Sequence, residues 1–329
     1  MKYYCLCMSP AIDATVTLPR APKGEGEIFK DVAEEENVGG KTVNVARWLA
    51  LRGADVACGG LLGEDNDRPF AKELAKYGIE DRFVRVPGAT RRNEMIVWPG
   101  GSMKLNRSAF PGLGGGTSET GGTSATSGTD GMATLIDQVL SRLSHSSYSS
   151  HASHSSQHGV VVLSGSLPPA IPKDFYARAV AAFKAQGWQT VLDASGEAMR
   201  LGLEAGPDFI KPNAEECEPL VGFVPKTPEE FARATAMLRE KAAHVVISDG
   251  GAGAWFDGEF VPAPKVEVVD TTAAGDTLLA EFCWRFWGNG DQGTEAGRWA
   301  VAAGSAACTM PGGAPPAREL VEQLFKDVL

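Results

Sequence analysis

The stretch DTTAAGDTLLAEF, residues 270 to 282, sets one carboxylate, Asp276, after three tiny residues, Ala273, Ala274 and Gly275. An apolar run with helical spacing follows. A helix start offers backbone N–H groups without intrahelical acceptors, and a partial positive charge. Small side chains let an anion come close to those groups. A carboxylate beside such a cradle would repel the anion, so it is a poor structural choice. It suits a base that takes a proton from a hydroxyl as the hydroxyl attacks a phosphoryl group. The amides of the turn would then hold the charge that develops. An ordinary capped helix, with small residues for close packing, fits the same letters equally well.

A second helix mouth, VGGKTVNVARWLALRG (38–53), has the same logic. Gly39 and Gly40 permit close approach. Lys41 supplies a point charge for phosphate, and Asn44 offers hydrogen bonds to hydroxyls. In IKPNAEECEPL (210–220), Asn213 and Glu216 stand three apart on one helical face. Oxygens at that spacing can order a magnesium ion through water. They can also cap a helix with a solvated acidic face.

These mouths need a scaffold, and the chain supplies an alternation of short apolar runs and helical patterns. VACGGLLG (56–63), GVVVLSG (159–165), QTVLDAS (189–195), DFIKPN (208–213) and HVVISDGG (244–251) read as strands. Residues 43–53, 69–79, 132–143, 173–187 and 227–242, and the run after Asp276, read as helices. Strands apolar on both faces, alternating with helices, predict a mainly parallel α/β sheet covered by helices on both faces. Ligands in such folds bind beyond the carboxyl ends of the strands.

Composition narrows the function. The chain has 329 residues and a net charge of −10, which disfavours nucleic acid and anionic membrane as partners. Six scattered cysteines, without zinc spacing, read as reduced thiols of a cytoplasmic protein. The opening MKYYCLCMSPAIDATV is broken by Pro10 and Asp13, and reads as a first buried strand rather than a signal peptide. No apolar run approaches a membrane span. Two segments, 112–131 (Gly/Ser/Thr-rich) and 144–158 (Ser/His-rich), read as flexible insertions that bury no core. The second holds four of the five histidines and reads as a solvated insert rather than a metal tract.

Five segments, taken in order, resemble the PfkB carbohydrate kinase family, which has the ribokinase-like fold. They are SPAIDATV (9–16), GGKTVNVARWLALRG (39–53), SGSLPP (164–169), KPNAEE (211–216) and DTTAAGDT (270–277). The resemblance implies a single kinase domain over 1–329, with a small β-sheet lid from segments near 12–38 and 88–106. It implies ATP and Mg2+ as cofactors, a hexose phosphate as substrate, and a homodimer through the lid. Asp13, Gly39, Gly40, Asn44 and Ser164 would line the sugar side, with Lys41 near the phosphates. Arg91 would bind the phosphate already on the sugar. Lys211, Asn213, Ser248, Gly250 and Gly253 would line the nucleotide site, and Glu216 would support magnesium. Asp276 would be the base, with the amides from Ala274 through Gly275 to Asp276 as the anion hole and Ala273 just before it in the catalytic stretch. The family's pattern has Gly where Thr42 and Ala273 stand here. The implied reaction is fructose 1-phosphate to fructose 1,6-bisphosphate. Tagatose 6-phosphate or fructose 6-phosphate is the alternative acceptor, and a non-catalytic regulator with the same fold is the alternative class.

Overall fold

The structure is a computed structural model that describes residues 1–110, 129–144 and 159–328. The two expected insertions lie outside the described residues, except that 129–131 and 144 belong to a helix.

From the N-terminus come β1 (Lys2–Cys7), β2 (Ala11–Thr17), β3 (Ala33–Gly39), α1 (Lys41–Leu51) and β4 (Asp55–Gly63). Then follow α2 (Arg68–Lys76), β5 (Glu80–Val86), β6 (Arg92–Trp98), β7 (Gly101–Leu105) and α3 (Thr129–Ser144). The middle of the chain gives β8 (Val160–Ser164), α4 (Phe175–Ala185), β9 (Gln189–Asp193), α5 (Gly196–Glu204) and β10 (Phe209–Ile210). Next are α6 (Glu218–Val221), α7 (Pro228–Arg239), β11 (His244–Ser248), β12 (Gly253–Phe256) and β13 (Glu259–Pro262). The chain closes with α8 (Ala274–Cys283), α9 (Gly293–Ala307) and α10 (Arg318–Asp327).

The larger sheet has the order β13-β12-β11-β10-β9-β8-β1-β4-β5. Every pairing from β11 through to β5 is parallel, and β12 and β13 add an antiparallel edge. Side chains alternate across a strand, and β1 shows the result. Tyr3, Cys5 and Cys7 enter one core with α1, α2, α8, α9 and α10. Tyr4, Leu6 and Met8 enter a second core with α3, α4, α5 and α7. Each residue of β1 from Tyr3 to Cys7 is therefore buried, as a strand covered on both faces requires.

A second sheet, of order β3-β2-β6-β7, stands apart. The first expectation for this region was a lid near 12–38 and 88–106, and the observed strands fall at Ala11–Thr17, Ala33–Gly39, Arg92–Trp98 and Gly101–Leu105. Asp13 pairs with Asn37 of β3 on one side and Asn93 of β6 on the other, so three polar residues form one row.

Candidate active site

The carboxyl ends of neighbouring strands carry the site. Ser164, the last residue of β8, is paired with Asp193, the last residue of β9. Its hydroxyl donates to Asp193 Oδ2 at 2.9 Å. Lys211 follows β10, the next strand over, and its Nζ lies 3.2 Å from Asp193 Oδ1. Lys41, opening α1, brings Nζ to 3.5 Å from Asp193 Oδ2. Burial works against the charge of Asp193, yet Lys211, Lys41 and the Ser164 hydroxyl hold its carboxyl below the ordinary range. Asp193 in turn raises Lys41 against the effect of burial, so Lys41 stays a cation.

Asp276 sits at the third position of α8, almost fully buried. Asn44 Nδ2 donates to its Oδ2 at 2.8 Å. Burial pushes its carboxyl up from 3.8 to about 6, and Asp193 adds to the rise. Lys41, Asn44 and Lys211 pull the other way. A carboxylate in this range is ionised at neutral pH and still a stronger base than an exposed one.

The turn before α8 is built by Asp270. Its Oδ1 accepts from the Thr272 amide at 2.8 Å and the Thr272 hydroxyl at 2.7 Å, and its Oδ2 accepts from the Gly312 amide at 3.0 Å. The DTT of the motif is thus an internally bonded turn. Ala274 N–H is answered by Thr271 O at 3.3 Å and Thr277 N–H by Ala273 O at 2.8 Å. Among the described residues no backbone acceptor takes the amides of Gly275 and Asp276, the two that a helix start leaves over. Lys211 Nζ would be 3.5 Å from a Cβ placed on Gly275. Two amides, two ammonium groups and a buried base therefore converge, an arrangement suited to an anion with a hydroxyl beside it.

Ala273 itself has φ 62° and ψ 3°, the left-handed region. Gly is the residue that adopts this at no steric cost, so the methyl of Ala273 carries strain. Thr42, the other departure from the family pattern, is fully buried and bonds the carbonyls of Leu6 and Ser164 at 3.0 and 2.7 Å. It fastens α1 to the ends of β1 and β8.

Asp13 faces the same cleft from the second sheet. Asn93 Nδ2 donates to Asp13 Oδ1 at 2.8 Å. A Cβ on Gly39 would lie 1.8 Å from Asp13 Oδ2, so any larger residue there would push the Asp13 carboxylate out of place. Gly40 has φ 119° and opens α1. A cleft lined by Asp13, Asn37, Asn93, Lys104, Asp270 and Thr272 joins this row to the turn before α8.

The remaining expected residues divide. Asn213 and Glu216 bond reciprocally, Glu216 N to Asn213 Oδ1 at 2.7 Å and Asn213 N to Glu216 Oε2 at 3.0 Å. The pair caps its own turn, and Glu216 also contributes to the field at Lys41. Ser248 ends β11, bridged to Asn213. Gly250 follows in a left-handed turn, and Gly253 is fixed by packing, since its Cβ would meet Val261 O at 2.1 Å. Arg91 lies at the foot of β6. It donates to the carbonyls of Ser9, Pro10 and Arg107 at 3.1, 3.3 and 3.0 Å, which takes three of its five N–H groups.

Asp193, Asn37, Asn93, Lys104 and Asp270 were not singled out from sequence. Asp193 had a usable signal, a carboxylate closing an interior strand. A cavity of about 510 Å3 lies elsewhere, between α2 and β3 among Arg68, Lys72, Lys76 and Glu36. Asn37 reaches it, but Asp276, Asp193, Lys41 and Lys211 do not, so the candidate site is placed at the strand ends.

Comparison with known proteins identifies the family. The family model described as pfkB family carbohydrate kinase matches residues 8–98 and 140–320. The chain is 30% identical over 289 residues to the 1-phosphofructokinase of Vibrio cholerae, covering 86% of this chain and 82% of that protein. It is 33% identical over 285 residues to the 1-phosphofructokinase of Rhodobacter capsulatus, covering 85% and 82%. Phosphofructokinase-2 from Escherichia coli, solved in complex with potassium, superposes with a TM-score of 0.80 at 24% identity, covering 99% of this chain and 98% of that one. A matched family model across most of its length, with the fold and the converging strand ends to go with it, makes this chain a member of the pfkB family of carbohydrate kinases.

Proposed function

We propose that the protein transfers the γ-phosphoryl group of ATP to a hydroxyl of a hexose phosphate, converting fructose 1-phosphate to fructose 1,6-bisphosphate. The observation that carries this reading is Asp276, a buried carboxylate raised to about 6 beside two unanswered amides. The names and coverage of the curated relatives support the choice of acceptor.

The acceptor sugar lies along the Asp13–Asn93 row, with Asn44 and Gly40 beside it. Asp276 takes the proton of the attacking hydroxyl as its oxygen bonds the γ-phosphorus, and the bond to the bridging oxygen of ADP breaks. The amides of Gly275 and Asp276, with Lys41, hold the charge that develops. Lys211, Asn213, Ser248, Gly250 and Gly253 form the nucleotide side. The donor set of Glu216 and Asn213 is already engaged in a turn, so it suits magnesium only through water; among the described residues no group of three acidic, His or Cys side chains could hold a metal directly. Magnesium bound with the nucleotide neutralises phosphate charge. Arg91, with two N–H groups left, reads the phosphate already on the sugar.

The second sheet serves as a lid and as the dimer contact, a reading supported by the exposed apolar side chains Met103 and Leu105 on β7. Six unpaired cysteines, five of them buried, and the lack of any membrane-crossing helix among the described residues support a cytoplasmic location.

Purified protein with ATP and magnesium, assayed for ADP release against fructose 1-phosphate, fructose 6-phosphate and tagatose 6-phosphate, tests the proposal. The highest kcat/KM is expected with fructose 1-phosphate. A preference for either 6-phosphate moves the assignment to that acceptor. No turnover with any of them removes the kinase reading in favour of a regulator.

A further inference from the structure

Asn44 could face Asp276 with either end of its amide, and only one end helps a base. The amide nitrogen donates to the carboxylate and favours its charged form. The amide oxygen would repel the carboxylate, and could face it only if Asp276 were protonated. Something must select the first arrangement. Arg47, one helical turn along α1, is 6% exposed. Its Nη2 donates to Asn44 Oδ1 at 2.5 Å and to Val38 O at 3.0 Å, and its Nη1 to Glu73 Oε1 at 3.1 Å. A guanidinium has no acceptor, so the atom of Asn44 that meets it must be the oxygen.

We propose that Arg47 is a positioning residue for the reaction: held by Glu73 and Val38, it locks the Asn44 amide so that its nitrogen donates to Asp276. The chain Glu73–Arg47–Asn44–Asp276 runs from the surface helix α2, past the second sheet, to the base. Val38 is the next-to-last residue of β3, so the same guanidinium fastens the second sheet to the orientation of Asn44. The other charged groups facing Asp276 among the described residues are Lys41 from α1, Asp193 from β9 and Lys211 after β10. None of these touches the Asn44 amide through a bond of its own, whereas Arg47 does. Arg47 therefore reaches Asp276 by a bonded path through Asn44, and the effect of that path has a direction. Without it, the inverted amide with a protonated Asp276 becomes available, and the base loses its proton only at higher pH.

This inference rests on Asp276 as the base, and pH profiles of kcat separate the two. In the wild-type protein kcat should fall on the acid side through one ionisation, and Asp276→Asn should lose both the ionisation and most of the activity. Arg47→Met keeps the length and removes the donors. Its acid limb should move up by about one pH unit, the size of one charge-assisted hydrogen bond, with activity largely regained by pH 8.5. Arg47→Lys, which keeps a donor, should move the limb less. Should Arg47→Met fail to fold, Glu73→Ala loosens the anchor and should shift the limb the same way by a smaller amount. A kcat lowered by one factor at every pH, with the limb unmoved in the folded variants, would overturn the assignment of Arg47 and leave Asp276 intact. An Asp276→Asn protein with near wild-type activity would instead overturn the base.

Discussion

Lys211 Nζ and Asp193 Oδ1 meet at 3.2 Å with side chains only 6% and 1% exposed. Lys41 joins them from α1. Removing the carboxylate leaves the buried Lys211 ammonium without its ion-pair partner, while Lys41, its side chain 44% exposed, keeps solvent and the field of Asp276. Asp193→Asn should cost roughly 3–5 kcal/mol at pH 7, as breaking a buried pair does. The carboxyl of Asp193 lies below its unfolded value, so its contribution is present above the unfolded pKa and is lost as pH falls through the folded one. Urea unfolding should therefore show a gap between variant and wild type at pH 7 that closes as acid protonates the native carboxylate. A gap of the same size at all pH values would contradict the pair.

Asp276 carries the opposite sign. Its carboxyl is raised from 3.8 to about 6 in the folded protein. The folded state binds that proton more tightly, so stability falls as pH rises from about 4 to about 6, and the loss is complete above that. Asp276→Asn mimics the neutral form. It should lower kcat by about two to four orders of magnitude, while raising stability above pH 6 by up to about 3 kcal/mol. Paired kinetics and denaturation on the one variant check both halves. An inactive variant that is also less stable would mean the residue is structural.

Ala273→Gly should relieve the left-handed strain at the helix mouth, about 1–2 kcal/mol. The added freedom of Gly in the unfolded chain offsets roughly 0.5–1 kcal/mol of that. A net stabilisation below about 1.5 kcal/mol is expected, with kcat changed less than about tenfold. A thousandfold rise in steady-state kcat would show the natural anion hole to be crippled, and the regulator reading would gain.

Glu281 is fully buried and accepts from Trp48 Nε1 at 2.8 Å, Arg52 Nη2 at 2.9 Å and Arg285 Nε at 3.0 Å. It pins α1 to α8 below the contact between Asn44 and Asp276. Glu281→Leu strands the Arg52 guanidinium, while Arg285 keeps Asp291 at 3.3 Å, so a loss of roughly 3–5 kcal/mol is expected. Thermal unfolding would register it as a drop of about 4–7 °C. An unchanged midpoint would show that the helices are held by apolar packing alone.

Arg91→Ala should lower kcat/KM for the hexose phosphate by roughly 2–4 kcal/mol, as loss of a charge-assisted contact does. The KM for ATP should stay nearly constant. Loss of ATP binding with sugar affinity intact would move Arg91 to the other side of the site.

The main sheet could be read from sequence because its strands are apolar on both faces and its helices amphipathic. Asp276 and Lys41 stand out in the sequence because each sits at a helix mouth in a short motif, whereas Ser164 and Lys211 are reached only through the resemblance to the family's segments. Asp193 lay in a strand that was recognised, but its partners come from β8, β10 and α1, and no local pattern announces them. The Asp13–Asn37–Asn93 row depends on register across three strands, which is a non-local choice. The backbone of Ala273 hides behind a residue type that normally avoids φ > 0. Arg47 sat inside a helical run, where a cation usually marks a solvated face. Helix α9 is rich in Ala and Gly and buried over most of its length, so it offered little periodicity to find.

The bond between Asn44 and Asp276 spans 232 positions. A ribosome working from the N-terminus releases α1 early and α8 late. Until α8 emerges, Trp48 lacks the acceptor Glu281 and the apolar face of α1 lacks its cover. The nascent chain therefore carries an open apolar helix face through most of its synthesis, a known hazard for association with other chains. Helix α8 carries both Asp276 and the apolar residues that cover α1, so one element brings the base and buries that face.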